Sequence, residues 1–287
     1  MGVTIPQVVT EDRASGTQVI DGSLKFDSSN KNHLSRASFS ATDKQTMTFS
    51  FWMKRSAPTS VTATQYVFGG GSNGTIFFDS GTSDKLTFNL RGTSGSNFFT
   101  NTEAELRDFS AWYHIVVALD LGNATTSERF KCYINGVQQT MSSTSYPSND
   151  FHNGGTWYIG SYVGTSHYPD YYLSNFNYIA GQALDASYFG YTDGLTNTWR
   201  PKKYEGTFGT NGFYLPFDGS APIGEDQSGK GNNWTPVNFG GSVALDNPQV
   251  SGARPILNTD GGGNVARPGV FGSELNQTIA VTVSNAS

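Results

Sequence analysis

The chain has 287 residues, with 34 glycines, 14% aromatic residues and only 14% charged ones, against about a quarter charged in an ordinary soluble domain. Its formal charge of −5 includes no basic run, which excludes the electrostatic footprint of a nucleic-acid binder. A single cysteine, Cys132, excludes an internal disulfide framework and a multi-cysteine zinc site.

Residues 1–20 are polar and without sustained periodicity, and read as an arm. No apolar stretch there has the form of a secretion signal. None elsewhere reaches the roughly 20 apolar residues of a membrane span. The expectation is a soluble protein made without conventional secretion.

Strand candidates then follow at short intervals: Ser23–Asp27, Met47–Arg55, Gln65–Gly69, Thr75–Asp79, Lys85–Leu90 and Phe98–Thr100. Gly, Ser, Thr and Asn clusters such as GGGSNG and RGTSGSN separate them and supply turn chemistry. The stretch from Trp112 to Gln139, WYHIVVALDLGNATTSERFKCYINGVQQ, carries two runs of period two. In the first, Tyr113, Ile115, Val117 and Leu119 share one face, with Trp112, His114, Val116 and Ala118 on the other. In the second, Phe130, Cys132 and Ile134 alternate with Lys131, Tyr133 and Asn135. The Asn135-Gly136 pair suits a two-residue type I′ turn, where both central residues need positive φ. Phe49, Phe51, Ile115, Val117, Cys132 and Ile134 are the expected core, which makes Cys132 a buried, inert thiol.

Two further strands follow, Thr156–Ser161 and Tyr171–Ile179. Leu184–Tyr191 has room for a short helix at most. Spacing and turn chemistry predict an antiparallel β-sandwich. A second region opens near Thr198 with a basic connector, WRPKKYEGTFGTNG. It continues with the strand GFYLPFDG, the Gly/Asn-rich loop APIGEDQSGKGNNW and a loose tail that closes on an alternating run at 278–284. The predicted organisation is an arm at 1–20, a sandwich domain at 21–197 and an extension at 198–287. The extension adds strands packed on the sandwich or on a neighbouring subunit.

Catalytic signatures are sparse. Glycoside hydrolysis needs two carboxyl groups about 5–9 Å apart, yet no Glu-x-Asp-x-(x)-Glu run is present. The acidic cluster Glu103-Ala104-Glu105 reads as a solvated loop. His33, His114, His152 and His167 lack HExxH or His-x-His spacing, and His114, inside a strand, reads as a structural histidine. Spacing alone leaves Ser/His/Asp chemistry open, but no G-x-S-x-G elbow occurs. The expectation is a protein that is not an enzyme and carries no cofactor. Asp218 and Asp226 are the weak candidate calcium ligands, because they place oxygens on a flexible loop; a plain Gly/Asn turn is the preferred reading. Aromatics in loop-like stretches, namely Tyr146, Phe151, Tyr168, Tyr171 and Tyr172, are candidates for stacking on a glycan or for contact with a neighbouring subunit.

In order along the chain, GSLKFDSSNKNHLSRA, MTFSFWMKRS, AWYHIVVALD, FKCYINGVQQ, WYIGSY and YLSNFNYIAGQAL resemble the concanavalin A-like, or laminin G-like, jelly-roll domain. LDASYFGYTD, TNTWRPKKYEGTFGTNGFYLPF and DQSGKGNNW resemble the copies found in virion proteins of tailed phages, marine ones especially. One order differs: in many members the YLPFDG and D-x-S-G-x-G-N segments precede the first strand, whereas here they follow the sandwich. The resemblance implies a virion structural protein, exposed on the particle as a capsid decoration, knob or short fibre and contacting host glycans. Its partners would be other virion proteins and copies of itself. The alternatives are a carbohydrate-binding tail-fibre adhesin and, less favoured, a glycoside hydrolase.

Overall fold

In a computed structural model of the chain, residues 18–37, 45–56, 64–70, 74–81, 84–91, 97–143, 146, 155–194, 196–240 and 248 are described. Phe151, His152, the arm up to residue 17 and the alternating run at 278–284 lie outside them. The strands are β1 (Leu24–Phe26), β2 (His33–Arg36), β3 (Thr46–Arg55), β4 (Gln65–Gly69), β5 (Thr75–Phe78), β6 (Lys85–Arg91), β7 (Asn97–Glu105) and β8 (Tyr113–Asp120). They continue with β9 (Phe130–Ile134), β10 (Val137–Gln138), β11 (Trp157–Ile159), β12 (Tyr171–Ala180), β13 (Gly190–Thr192), β14 (Trp199–Pro201), β15 (Phe213–Leu215) and β16 (Thr235–Val237). Among the described residues the only helical pieces are 3-10 turns at Thr126–Glu128 and Ala186–Tyr188.

Two seven-stranded antiparallel sheets form a jelly-roll sandwich. The front sheet runs β1-β12-β3-β8-β9-β10, with β15 also paired to β12; the back sheet runs β16-β2-β11-β4-β5-β6-β7. The Asn-Gly turn joins β9 to β10 with φ of 48° at Asn135 and 81° at Gly136, the signs a type I′ turn demands. Alternation places the expected core between the sheets. Phe49, Phe51, Ile115, Val117, Cys132 and Ile134 are each no more than 3% exposed. Burial pushes the Cys132 thiol far above its usual range, so it stays protonated and unreactive.

Phe176 of β12 sits at the middle of this core. Its ring stacks on Phe51 at 5.1 Å and on Phe213 at 5.9 Å within the front sheet, and on Phe68 of the back sheet at 5.9 Å. Trp234 closes the side of the sandwich, 5.1 Å from Phe213 and 6.2 Å from Phe68. Arg55, at the end of β3, is fully buried. Its guanidinium pairs with Asp84 at 2.8 Å, donates to the Leu106 carbonyl at 2.8 Å and lies over the Phe78 ring at 4.2 Å. A buried cation persists only with this kind of pairing.

The segment after the sandwich supplies strands to both sheets. β15 pairs with Phe176–Tyr178 of β12, and β16 pairs with β2 at the edge of the back sheet. The domain boundary expected at 197/198 falls inside the β13–β14 hairpin, where Tyr191 faces Arg200. Ile20, the last residue of the expected arm, is 1% exposed and packs with Trp52 and Trp112. Since Trp234 is 3% exposed within the common core, Trp234→Ala should destabilise the whole sandwich by about 3–5 kcal/mol. Urea denaturation checks this; a change within about 0.5 kcal/mol would mean that the segment is a detachable appendage.

Candidate functional site

The front sheet's outer face is apolar as well as its inner one, so it needs a cover. Residues 184–194 and 196–208 provide it. Val116 and Ile179 pack there with Leu184, Phe189 and Tyr204. Thr48 Oγ1 donates to the Gln182 carbonyl at 2.7 Å and accepts from the Leu184 N–H at 2.8 Å. Trp199 is the anchor, held in a slot that side chains would block. A Cβ on Gly136 or Gly190 would come within 2.4 Å of its indole.

The indole N–H of Trp199 donates to His114 Nδ1 at 2.8 Å. An indole can only donate, so Nδ1 is unprotonated and the imidazole proton sits on Nε2, 2.9 Å from Ser50 Oγ. Nε2 therefore donates to the serine. A base that must accept the serine proton is absent from this pair, which removes Ser50 and His114 as nucleophile and general base. Trp52 stacks on the imidazole at 4.9 Å. The His114 backbone N–H donates to Asn135 Oδ1 at 2.6 Å, and the Asn135 N–H to the His114 carbonyl at 2.8 Å. The histidine is structural, as its position in a strand predicts.

The cover stops short of β15, and the uncovered part is a cleft of about 480 Å³. Its floor is an irregularity in β12. The register with β3 shifts between Ser174 and Asn177, and Asn175 takes a φ of 52°. β1 borders β12 before this bulge and β15 after it. The Ser174 hydroxyl fills the seam, with the Gly22 carbonyl at 2.8 Å and the Pro216 carbonyl at 3.2 Å. Asn175 is turned outward and forms a reciprocal amide pair with Gln18, at 2.9 and 3.0 Å. Gln18 also donates to the Tyr214 hydroxyl at 2.8 Å. Asn177, opposite Tyr214 in the register, donates to the Asn175 carbonyl at 2.9 Å.

Aromatic rings make the wall. Phe208 lies 5.2 Å from Tyr204, edge to face, and 6.4 Å from Tyr214, nearly parallel. The backbone positions it, since the Ala180 N–H at the end of β12 donates to the Phe208 carbonyl at 2.9 Å. Burial and the nearby Asp218 raise the Tyr214 phenol well above its usual range. Val19, Lys203, Pro216, Ser220 and Gln227 complete the lining, and no carboxylate is among the lining residues.

The residues expected from sequence to bind lie elsewhere. Tyr171 is a correction: it is fully buried, its ring 5.0 Å from Phe26 and its hydroxyl donating to the Tyr66 carbonyl at 2.9 Å. It begins β12, where the predicted strand Tyr171–Ile179 starts, and alternation turns its side chain inward, away from any binding loop. Tyr172 points outward but packs 6.5 Å from Trp112. Tyr168 is tied to its own loop by a bond to the Gly164 carbonyl at 2.7 Å and lies 5.7 Å from His33. Tyr146 is half-buried against Phe98 at 5.0 Å. The four are not brought together, and Phe151 is outside the described residues.

Asp226 is a hub for its loop. Its carboxylate accepts from the backbone N–H groups of Tyr214, Ser228 and Asn232 and from the Ser228 hydroxyl, at 2.8–2.9 Å. Those bonds occupy both oxygens that a calcium ion would need. Asp218 accepts from the Ser220 N–H and hydroxyl, a local turn. No group of three His, Cys, Asp or Glu among the described residues is arranged to hold a metal. Glu103 and Glu105, expected in a loop, end β7 and pair with Lys85 at 3.4 Å and Arg107 at 2.6 Å. The sequence signal for the cleft was the pair of asparagines in YLSNFNY, a residue type depleted in strands.

The family model described as the concanavalin A-like lectin/glucanases superfamily matches residues 21–178, more than half of the chain. The match ends before β15 and β16. No curated protein matches the sequence. Among solved structures, a candidate carbohydrate-binding protein from Bacteroides ovatus has a TM-score of 0.54 and 17% identity, covering 80% of this chain and 62% of that one. The binding domain of Paraclostridial mosquitocidal protein 1 has a TM-score of 0.43 and 15% identity, covering 60% of this chain and 44% of that one. A heptameric SAP-like pentraxin from Limulus polyphemus has a TM-score of 0.37 and 16% identity, covering 59% and 76%. At 17% identity the likeness to the Bacteroides ovatus protein is one of fold. The chain spans less than two thirds of the length of the first two.

Burial holds the His114 imidazole down at about 3, against about 6.5 when unfolded. As pH falls the unfolded chain binds this proton first. The folded state is thus at full advantage above about pH 6.5 and loses stability toward about pH 3, at up to about 1.4 kcal/mol per pH unit. Denaturation midpoints between about pH 5 and 6.5, where model carboxylates stay ionised, should fall with acid in the native protein and stay level in His114→Gln.

Proposed function

The chain belongs to the concanavalin A-like lectin/glucanase superfamily, and from that premise we propose that it is a carbohydrate-binding domain whose ligand sits in the cleft over β12 and β15. The observation that carries this reading is the lining itself. Asn175, Asn177, Gln18 and Gln227 present carboxamides, and Tyr204, Phe208 and Tyr214 present rings. A carboxamide both donates and accepts, which matches the hydroxyls of a sugar. An aromatic face takes up the apolar C–H surface beside them. A concave, largely pre-formed site with a few convergent polar groups is the usual form of a ligand pocket. The description of the Bacteroides ovatus protein as a carbohydrate-binding candidate is in keeping with this.

The domain binds its glycan without cleaving it. Hydrolysis of a glycosidic bond needs a carboxylic acid and a second carboxylate on either side of it, and none lines this cleft among the described residues.

The finer reading is a tailed-phage virion protein, displayed on the particle as a decoration, knob or short fibre in contact with other virion proteins and copies of itself. It is supported by the likeness of LDASYFGYTD, TNTWRPKKYEGTFGTNGFYLPF and DQSGKGNNW to phage copies of the domain. Many copies on one particle would turn weak glycan contacts into useful avidity. Mass spectrometry of purified particles of the phage that encodes the chain should find it at structural abundance, and its absence would sink the reading.

A glycan array should return bound oligosaccharides, with no reducing sugar released from them. For the glycans bound, Tyr214→Phe and Asn177→Ala should each weaken affinity about three- to tenfold, the loss of one hydrogen bond. Unchanged affinity in both variants would exclude the cleft.

A further inference from the structure

The cleft's charge says more about its ligand than its shape does. The chain has 23 acidic and 18 basic residues, so a random lining would favour carboxylates. The lining instead holds one charged side chain, the exposed Lys203, and no Asp or Glu. The basic residues beside it in sequence are engaged: Arg200 pairs with Asp193 at 2.6 Å, and Lys202 donates to the Ser187 carbonyl at 3.2 Å. No carboxylate of the described residues lies within ion-pair distance of Lys203.

The nearby carboxylates stand behind the lining rather than in it. Asp226 lies under β15 with both oxygens on the hydrogen bonds of its own loop and on the Tyr214 backbone. Asp218, whose charge reaches the Tyr214 phenol, accepts from Ser220. Lys203 thus borders an amide-lined cleft, where a ligand anion would be screened less than on open surface.

We propose that the glycan bound in this cleft is acidic, carrying a carboxylate or sulfate that pairs with Lys203 while the amides and rings hold the sugar. This rests on the cleft being the glycan site. The anion would gain a charge-assisted hydrogen bond from the ammonium, and the carboxamides would accept its neighbouring hydroxyls.

The test uses matched glycans that differ only in charge. One arm pairs uronate and sialylated oligosaccharides with their carboxyl-reduced forms; the other pairs sulfated galactan oligosaccharides with desulfated ones. Titration calorimetry at low salt should show at least one acidic member bound about fivefold or more tightly than its neutral partner. The preference should shrink as ionic strength rises past about 0.1 M. Lys203→Gln should abolish the preference, Lys203→Arg should keep it, and Lys230→Gln, outside the cleft, should leave it unaltered. The arm that shows the preference tells carboxylate from sulfate.

Equal binding of every acidic and neutral pair would overturn the proposal, as would a preference that survives Lys203→Gln. Failure of the underlying reading looks different: Tyr214→Phe and Asn177→Ala would then leave both members of every pair bound as before. Absence of binding to any member overturns both.

Discussion

The hydrogen bond from Trp199 to His114 decides what the outer face of the front sheet can be. That sheet carries apolar residues on both faces, as a fully covered sheet does; Val116, Ile179 and Trp52 are all at most 1% exposed although they point away from the sandwich core. The segment that covers them has, among its described residues, little regular structure beyond a 3-10 turn and the β13–β14 hairpin. A directional bond must therefore fix where it lies. Trp199 provides one, in a slot that exists because residues 136 and 190 are glycines. Because the cover is fixed at that end, its edge is fixed too, and beyond the edge the amides of β12 line a cleft.

A second constraint shapes the opening. β12 is bordered along one side by two different strands, β1 and then β15. Two short strands cannot meet end to end without leaving backbone groups unpaired, and buried unpaired groups are costly. The bulge at Asn175 and the Ser174 hydroxyl resolve this by bonding the carbonyls at the seam. A bulge re-aims the side chain it carries, and here it turns the Asn175 carboxamide onto Gln18 at the cleft floor. Site and seam have one origin.

Much of the sandwich could be read from period-two alternation: the β8–β9 pair, the Asn-Gly turn and the six core residues all lie where the pattern puts them. The failures have physical reasons. In the sequence Tyr171 groups with the aromatics of HYPDYY because a proline and an aspartate precede it, but as the first residue of its strand it follows the alternation and points inward. β16 went unseen because it is three residues long, contains Pro236 and sits at a sheet edge, where a missing N–H is tolerated. The cleft depended on Gln18, Asn175 and Tyr214, which are brought together across 157 and 196 residues of chain. No local pattern can announce such a meeting. The oxygen-rich loop around Asp226 reads equally well as a cation site or as a backbone clamp, and only the directions of four N–H and O–H groups separate the two.

The pairing of β16 with β2 has a consequence during biosynthesis. Asn32, just before β2, donates to the Asn238 carbonyl, a contact between residues 206 positions apart. At a synthesis rate of about 5–20 residues per second, β2 emerges from the ribosome about 10–40 s before the strand that covers its edge. Throughout that interval the nascent chain carries an unpaired β edge beside a half-built aromatic core, which is the kind of surface that recruits another nascent chain. A crowded polysome is therefore where this fold is most exposed to misassembly, and slowing or shielding that edge is a task that falls to the cell rather than to the finished sandwich.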